Sequence, residues 1–382
     1  MHRNYQYRLR PNKRQKRKLE LILHQTRLLY NAALQERCDA YKNCNRKSRN
    51  SISRIDQQKS LTQIRKEDPE FSAMHLRSQR GALMRLDRAF TAFFNRVKKG
   101  EKPGFPRFKS RDRWRSIELP DGYRLDNAQL KTKDFSIKIH MHRPLPENFK
   151  KHCGAILVKD HKGWLVNFKI EIEEAPEKKP INSAVGLDVG LKALVATSDG
   201  EFHDAPGYFR KAEKTLRRLQ RALARCKKGS KRRQAAKQRV MSLHDKIKNQ
   251  RRDYAHKLAG DIVDQTDFIA VENLKITNMV KNRHLAKSIS DAGWASLTAK
   301  MEYKAESAGK YFVWVDPKNT SQQCSNCNKL VPKTLSDRIH LCDQCGLKLD
   351  RDVNAAKNIL ALGLKTHRDA LGTQGAVAEC FT

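Results

Sequence analysis

The amino-acid sequence predicts an α+β protein of several domains, because the spacing of its apolar residues changes character along the chain. Leu19, Ile22, Leu29 and Ala33 recur at helical spacing, as do Leu83, Leu86, Phe90, Phe93 and Val97. Between Ile117 and Ile172 the period drops to two, the mark of half-buried strands. Beyond Ser183, short apolar strands alternate with helical stretches. At 382 residues the chain exceeds one typical domain, so two or three cores are expected.

Charge decides the class of partner. With 79 Lys and Arg against 41 Asp and Glu, the net charge is +38, a field that self-repels unless a polyanion neutralises it. Nucleic acid is the expected partner. No stretch approaches the roughly 20 apolar residues of a membrane span, and the opening MHRNYQYRLR lacks an apolar signal region. No membrane partner and a cytoplasmic location are therefore expected.

Taken in order, Tyr5 to Leu9 reads as a strand, and a helix follows from Pro11. Lys13, Arg14, Lys16, Arg17 and Lys18 crowd its first turns, which predicts a phosphate-facing surface. The polar stretch from Tyr41 to Phe71 shows little periodicity and reads as a loop or a poorly packed connection between helices. A second helix spans Arg77 to Val97, ended by Lys99 and Gly100. In KPGFPRFK (102–109), two prolines and a glycine forbid regular structure. There Phe105 and Phe108 alternate with cations including Arg107 and Lys109, which suits stacking on bases or, equally, pinning a linker to a core. The alternating strands that follow form a β-rich barrel or sheet, with His140 and His142 exposed on one strand. EIEEAPEKKP (171–180) reads as a linker.

The segment SAVGLDVGLKALVATSDG (183–200) predicts a β-hairpin, with Val185, Leu187 and Val189 on one side and Asp188 on the other. Gly186 and Gly190 are expected to leave room there for a ligand. A second apolar strand, FIAVE, ends on Glu272. An acidic start, Asp350 to Asp352, leads into a helix with apolar positions 353, 356, 359 and 360, which Gly363 is expected to end. Carboxylates from two strands and a helix start can converge, and they stay ionised together only if cations neutralise them. Hard divalent cations, Mg²⁺ or Mn²⁺, fit oxygen ligands. Between strand and strand, Lys211 to Leu258 holds eighteen Lys and Arg against three acids, and Gly229-Ser230 breaks it into a helical hairpin. Lys227, Lys228, Lys231, Arg232 and Arg233 cluster at its turn, while Val240, Leu243, Ile247, Tyr254 and Leu258 form its core stripe. Self-pairing as a coiled coil would lack acid partners. A helix marked by Trp294, Leu297 and Tyr303 and a strand at Tyr311 to Val315 complete this region.

Cys324, Cys327, Cys342 and Cys345 form two C-x-x-C knuckles, the spacing of a four-thiolate Zn²⁺ site with no open coordination position. One structural zinc ion is expected. Cys38, Cys44, Cys153, Cys226 and Cys380 read as free thiols. No G-x-x-x-x-G-K-[ST] loop is present, so ATP-driven action is not expected.

The hairpin GLDVG, the strand IAVENLK, the helix DRDVNAAKNIL and the four-cysteine insert together resemble the TnpB proteins of bacterial insertion sequences. PGFPRFK, HDKIKNQRRDYAHKL and the lead TSQQCSNC are similar to that family as well. The resemblance implies an RNase H-like (RuvC) nuclease core with an inserted zinc ribbon, an oligonucleotide-binding-type β-barrel wedge domain and a helical recognition domain. Its boundaries would be residues 1–10 and 112–178 for the wedge, 11–111 for the recognition domain, and 179–323 with 347–366 for the nuclease core. Residues 324–346 would form the ribbon and 367–382 a disordered tail. Asp188, Glu272 and Asp352 would be the catalytic carboxylates holding two Mg²⁺ ions. Asp188 would bridge both ions, with Asp350 just outside.

The implied activity is RNA-guided cleavage of double-stranded DNA beside a short flanking motif, one protein per transposon-derived guide RNA. A nuclease-inactive repressor, or a transposase or junction resolvase on the same core, is the competing expectation. The intact acid trio opposes the repressor.

Overall fold

The computed structural model describes residues 2–43, 52–146, 149–172, 176–334 and 337–371. They fall into two compact units, Met1–Glu174 and Ala175–Thr382.

The first unit opens with strand β1 (His2–Arg10) and the long helix α1 (Lys13–Lys42). Asn12 caps α1, its side chain accepting from the Gln15 N–H while the Gln15 side chain accepts from the Asn12 N–H. Helices α2 (Arg54–Glu67), α3 (Pro69–Ala73) and α4 (Leu76–Lys98) follow. Of the loop or poorly packed connection expected from Tyr41 to Phe71, residues 44–51 lie outside the described residues, and the part from Arg54 is corrected to helix: Ser53 and Asp56 form a capping box that starts α2. Only Gln57 and Leu61 of α2 are buried, so its periodicity is faint. Tyr30, Leu34, Leu61, Leu83, Leu86 and Trp114 form the helical core. Cys44 and Cys380 lie outside the described residues; Cys38, Cys153 and Cys226 form no disulfide among the described residues.

Six further strands are β2 (Ser116–Leu119), β3 (Tyr123–Asp126), β4 (Gln129–Thr132), β5 (Ser136–His140), β6 (Phe149–Asp160) and β7 (Gly163–Ile172). With β1 they make one antiparallel sheet in the order β2-β6-β7-β1-β5-β4-β3. The N-terminal strand sits at its centre, paired with β7 from His2 to Leu9 and with β5 from Arg8 to Arg10. The sheet curls around a single core that includes Tyr7, Leu119, Leu130, Ile137, Leu157 and Phe168, and Leu19 and Ile22 of α1 pack into it.

In the second unit, β8 (Ala184–Asp188), β9 (Ala193–Thr197) and β10 (Phe202–Asp204) run antiparallel. The basic hairpin, α5 (Tyr208–Ala224) and α6 (Lys231–Gln265), leads to β11 (Phe268–Glu272). Short helices α7 (Ile276–Met279) and α8 (Ala286–Ala292), then α9 (Trp294–Ser307), precede β12 (Tyr311–Val315). The sheet order is β10-β9-β8-β11-β12, with β8, β11 and β12 mutually parallel. A small ribbon of β13 (Ile339–Leu341) and β14 (Lys348–Asp350) opens directly into α10 (Arg351–Leu371).

Both faces of this sheet are covered, which explains why β11 is buried at every residue. Val185, Leu187, Ile269 and Val271 face a core with α6 and α9 residues such as Leu258, Ile262, Leu297 and Met301. Phe268 and Ala270 face Ile359 and Leu360 of α10. The crossing with α10 is close enough to demand glycine at two points. A Cβ on Gly186 would stand 2.0 Å from the Ala356 carbonyl oxygen, and one on Gly363 would stand 2.5 Å from the Ala270 Cβ. Two expectations are corrected here: Gly186 makes room for a helix rather than a ligand, and Gly363 sits inside α10, which continues to Leu371. Among the described residues, no helix is long and apolar enough to cross a membrane.

Candidate active site

Strand alternation and parallel pairing place the acids. Leu187 pairs with Val271, so Asp188 and Glu272 follow at the carboxyl ends of neighbouring parallel strands, where open α/β sheets bind their ligands. Asp188 shares its face with Ala184 and Gly186, and Glu272 with Phe268 and Ala270, the face that α10 covers. Asp352 lies in the first turn of that helix. Asp350 does different work: its Oδ1 accepts from the Asp352 N–H at 2.8 Å, capping the helix.

Asp188 feels this company. Burial raises its pKa from 3.8 to about 8, with further push from Glu272, Asp352 and Asp350 and partial relief from Arg351. Burial also raises Glu272, against which the Thr320 hydroxyl, a donor to Glu272 Oε1, acts to lower it. Arg351 donates to Asp352 Oδ1 from Nε at 3.1 Å and from Nη2 at 3.0 Å. The acids are neighbours rather than a closed cage. Among the described residues, the set of three or more candidate metal ligands whose donor atoms all lie within 4.8 Å of one another is the cysteine quartet. An oxygen-only donor set carrying excess negative charge suits hard divalent cations.

The cysteine site is tighter. Cys324 and Cys345 sulfurs are 3.6 Å apart, and those of Cys327 and Cys342 are 3.5 Å apart, close to the edge of roughly 3.8 Å that a tetrahedron with Zn–S bonds of about 2.3 Å would have. The two knuckles are built alike. The Cys324 N–H donates to the Lys329 carbonyl and the Asn328 N–H returns to Cys324; Cys342, Leu347 and Gly346 repeat the pattern. Asn328 and Gly346 both adopt positive φ, 63° and 72°, residues that tolerate the left-handed turn. The backbone N–H of Leu347 leads the contacts that hold the Cys345 thiol below its ordinary range. The donor set and its spacing fit one Zn²⁺.

The expected nucleic-acid contacts divide. Lys13, Arg14 and Arg17 are exposed on α1, and Arg107, Lys227, Lys228, Lys231 and Arg232 are exposed as well. Arg233 has a structural task as well: its Nη1 donates to the Leu223 and Cys226 carbonyls, both at 3.0 Å, and so staples the hairpin turn. Lys109 is half-buried over the Tyr30 ring, its backbone bracketed by the Asn31 side chain. Phe105 packs edge-on against Phe90 and Phe93, so this segment is pinned to the helices, yet Phe105 and Phe108 stay half exposed.

Sequence reasoning missed a basic cavity of about 640 Å³ among α5, α6, α8 and α9. His244, Lys248, Arg252 and Lys300 line it without a carboxylate partner among the described residues, while Asp291 and Glu213 neutralise Arg251 and Lys287. Its wall at Gly293 precedes Trp294, whose Nε1 donates to the Gly190 carbonyl, two residues beyond Asp188.

Comparison with known proteins gives three family matches along the chain. Residues 167–283 match the family described as "Probable transposase", residues 294–359 the "Cas12f1-like, TNB domain", and residues 1–47 a "Helix-turn-helix domain". A protein of Streptomyces pristinaespiralis, provisionally named an RNA-guided DNA endonuclease, is 34% identical over 377 residues, covering 95% of this chain and 89% of that one. InsQ of Escherichia coli K12, provisionally named likewise, is 32% identical over 302 residues, 74% of this chain and 73% of its own. The CRISPR-associated endodeoxyribonuclease Cas12f1 of Sulfoacidibacillus thermotolerans is 24% identical over 238 residues, 58% of this chain and 56% of its own. Fold, acids and cysteine cage thus meet in a transposon-associated class with nuclease relatives. Within that class, the chain belongs to the TnpB family.

Proposed function

We propose that this protein is an RNA-guided DNA endonuclease that hydrolyses phosphodiester bonds at Asp188, Glu272 and Asp352. One observation carries the reading: carboxylates from β8, β11 and α10 are neighbours where parallel strands end, and the buried Asp188 carboxyl is pushed up by burial first and then by Glu272 and Asp352, with Arg351 relieving part of that push. Two divalent cations held there would activate water and stabilise the leaving oxygen. Asp188, central to the trio, would touch both ions, and Glu272 and Asp352 one each. Arg351 keeps Asp352 oriented and offsets part of the charge.

The remaining parts take matching roles. The β8 to β12 sheet with α10 is the RNase H-like core, the curled seven-stranded sheet the wedge domain, α1 to α4 the recognition domain, and the cysteine cage a zinc ribbon. Exposed cations on α1 and at the α5–α6 turn, with those of the basic cavity, hold phosphates of guide RNA and target DNA. Base pairing to the guide then selects the target beside a flanking motif. Such an enzyme works on DNA in a prokaryotic cytoplasm, one protein per guide.

The test is to purify the protein at low salt, sequence the RNA that accompanies it, and present a plasmid matching that RNA with Mg²⁺. Cleavage that needs both RNA and Mg²⁺ is expected. Joined DNA ends formed without RNA would replace this reading with the transposase that one family description suggests.

A further inference from the structure

Three buried polar side chains behind the acids have no part in the chemistry proposed above. Thr320, Asn354 and Asn358 are 3%, 0% and 6% exposed, and a buried polar group left unpaired costs about 1–3 kcal/mol. Their partners form one chain of bonds. The Thr320 hydroxyl donates to Glu272 Oε1, with the Pro317 carbonyl at 3.2 Å as a second acceptor. The Thr320 carbonyl accepts from Asn358 Nδ2 at 2.8 Å. That amide also donates to the Gln323 carbonyl at 2.7 Å, which takes a second bond from Asn354 Nδ2 at 2.8 Å. Oδ1 of Asn354 accepts from the Ser325 N–H at 3.0 Å, inside the first cysteine knuckle.

Asn354 and Asn358 stand four residues apart on α10, so they present one face of the helix that Asp352 begins. The segment they grip has no ladder of its own: residues 316–322 are turns and irregular backbone, and the two amides hold it at the Thr320 and Gln323 carbonyls. One end of the segment therefore belongs to the cysteine cage and the other aims a hydroxyl at an acid. A single hydroxyl bond to Oε1 fixes the Glu272 carboxylate and leaves Oε2 for a cation.

We propose that Thr320 is a positioning residue for Glu272, and that Asn354 and Asn358 transmit closure of the cysteine cage to it. The proposal rests on Glu272 being a cation ligand. It explains why a structural ribbon is inserted between two acids of one site: the ribbon holds the strap that orients the second acid.

The test uses the full chain with its copurified RNA. Thr320→Val keeps the shape and removes the donor; Thr320→Ser keeps the donor. Zinc is measured by elemental analysis, Mn²⁺ affinity by electron paramagnetic resonance of the free ion, and cleavage under single-turnover conditions against Mg²⁺ concentration. Thr320→Val should retain one zinc and wild-type guided DNA binding. Its Mn²⁺ affinity should fall about 10-fold, the usual effect of removing a partner that orients a ligand, with the Mg²⁺ requirement rising in step. Thr320→Ser should restore both. Cys345→Ser should weaken Mn²⁺ binding as well, and the double variant should lose no more than the worse single one.

Wild-type Mn²⁺ affinity in Thr320→Val, or equal damage from Thr320→Ser, would overturn the positioning role. Multiplied losses in the double variant would overturn the link to the cage. Glu272→Gln is the reference: if it binds Mn²⁺ and cuts normally, the ligand reading itself falls, and the proposal with it.

Discussion

The four cysteines meet within the stretch from Cys324 to Cys345 through two tight turns, whereas the three acids arrive from positions 188, 272 and 352 and meet only after a sheet and a helix have assembled. The cage is built from backbone bonds local to its two knuckles, with left-handed turns at Asn328 and Gly346. The acid site needs β8 and β11 in parallel register and α10 laid across them at glycine distance. The first arrangement is closed, and its donor set fits one Zn²⁺. The second is open, and burial together with neighbouring acids pushes the Asp188 carboxyl up. An open, charged site is suited to chemistry; a site that completes a local fold is suited to scaffolding.

The largest effect that separates them is expected from Asp188→Ala. Cleavage of a matched plasmid with guide RNA and Mg²⁺ should fall by at least about 10³-fold while guided DNA binding stays within a few-fold, because the acid acts in the chemical step. Gel-shift affinity and single-turnover rate on the same preparation decide it. Cutting at near wild-type rate would end the two-cation reading. Cys342→Ser should act by the other route. Zinc by elemental analysis should drop below one per chain, since structural zinc contributes on the order of 10 kcal/mol to folding its segment. Cleavage should fall with it, by roughly 10-fold or more, with amide exchange rising locally between 320 and 350. A full zinc complement in Cys342→Ser would remove the cage from the account.

The two sites should also answer pH with opposite signs. Burial and the neighbouring acids push the Asp188 carboxyl up to about 8 in the fold, against 3.8 ordinarily. Between those values the native state binds more protons than the unfolded one. Stability without cations therefore falls as pH rises through the window, by at most about 1.4 kcal/mol per pH unit for one proton. Asp188→Asn removes that slope. Its melting temperature in chelator should exceed wild type by more at pH 8 than at pH 6, and Mg²⁺ should shrink the gap. The same offset at both pH values would show that Asp188 is not held protonated. Zinc in the cage, bound by thiolates, should instead be lost as pH falls.

Much of this contrast was legible beforehand, and the exceptions have physical causes. Two C-x-x-C pairs encode their site locally, and β11 advertised its burial by an unbroken apolar run with a carboxylate at its end. Helix α2 hid because only two of its residues are buried. In the sequence Gly186 reads as room for a ligand, because a sequence does not say which neighbour comes close; in the fold that neighbour is Ala356 on α10. Gly363 looked like a helix stop for the same reason. Arg233 looked like its exposed neighbours until its bonds to Leu223 and Cys226 gave it a structural task. Thr320, Asn354 and Asn358 carry ordinary polar side chains, and only their burial and partners mark them.

The smallest expected effect tests the finest distinction, the choice between two acids two residues apart. Asp350→Ala removes the bond to the Asp352 N–H, a helix cap whose loss costs about 1 kcal/mol. It also removes a charge that helps push Asp188 up, so relief of repulsion offsets part of that cost. Cleavage should fall less than about 10-fold and thermal stability should change by a few degrees at most. Asp350→Asn keeps a capping oxygen without the charge, and should recover the stability while leaving Asp188 less burdened. Asp352→Ala, by contrast, should abolish cutting as Asp188→Ala does, and combining the two should add nothing further. Single-turnover rates for all four variants with one guide and one plasmid make the comparison. If Asp350→Ala proves as inactive as Asp352→Ala while its melting curve stays at wild type, the third ligand is Asp350, and the cap is incidental.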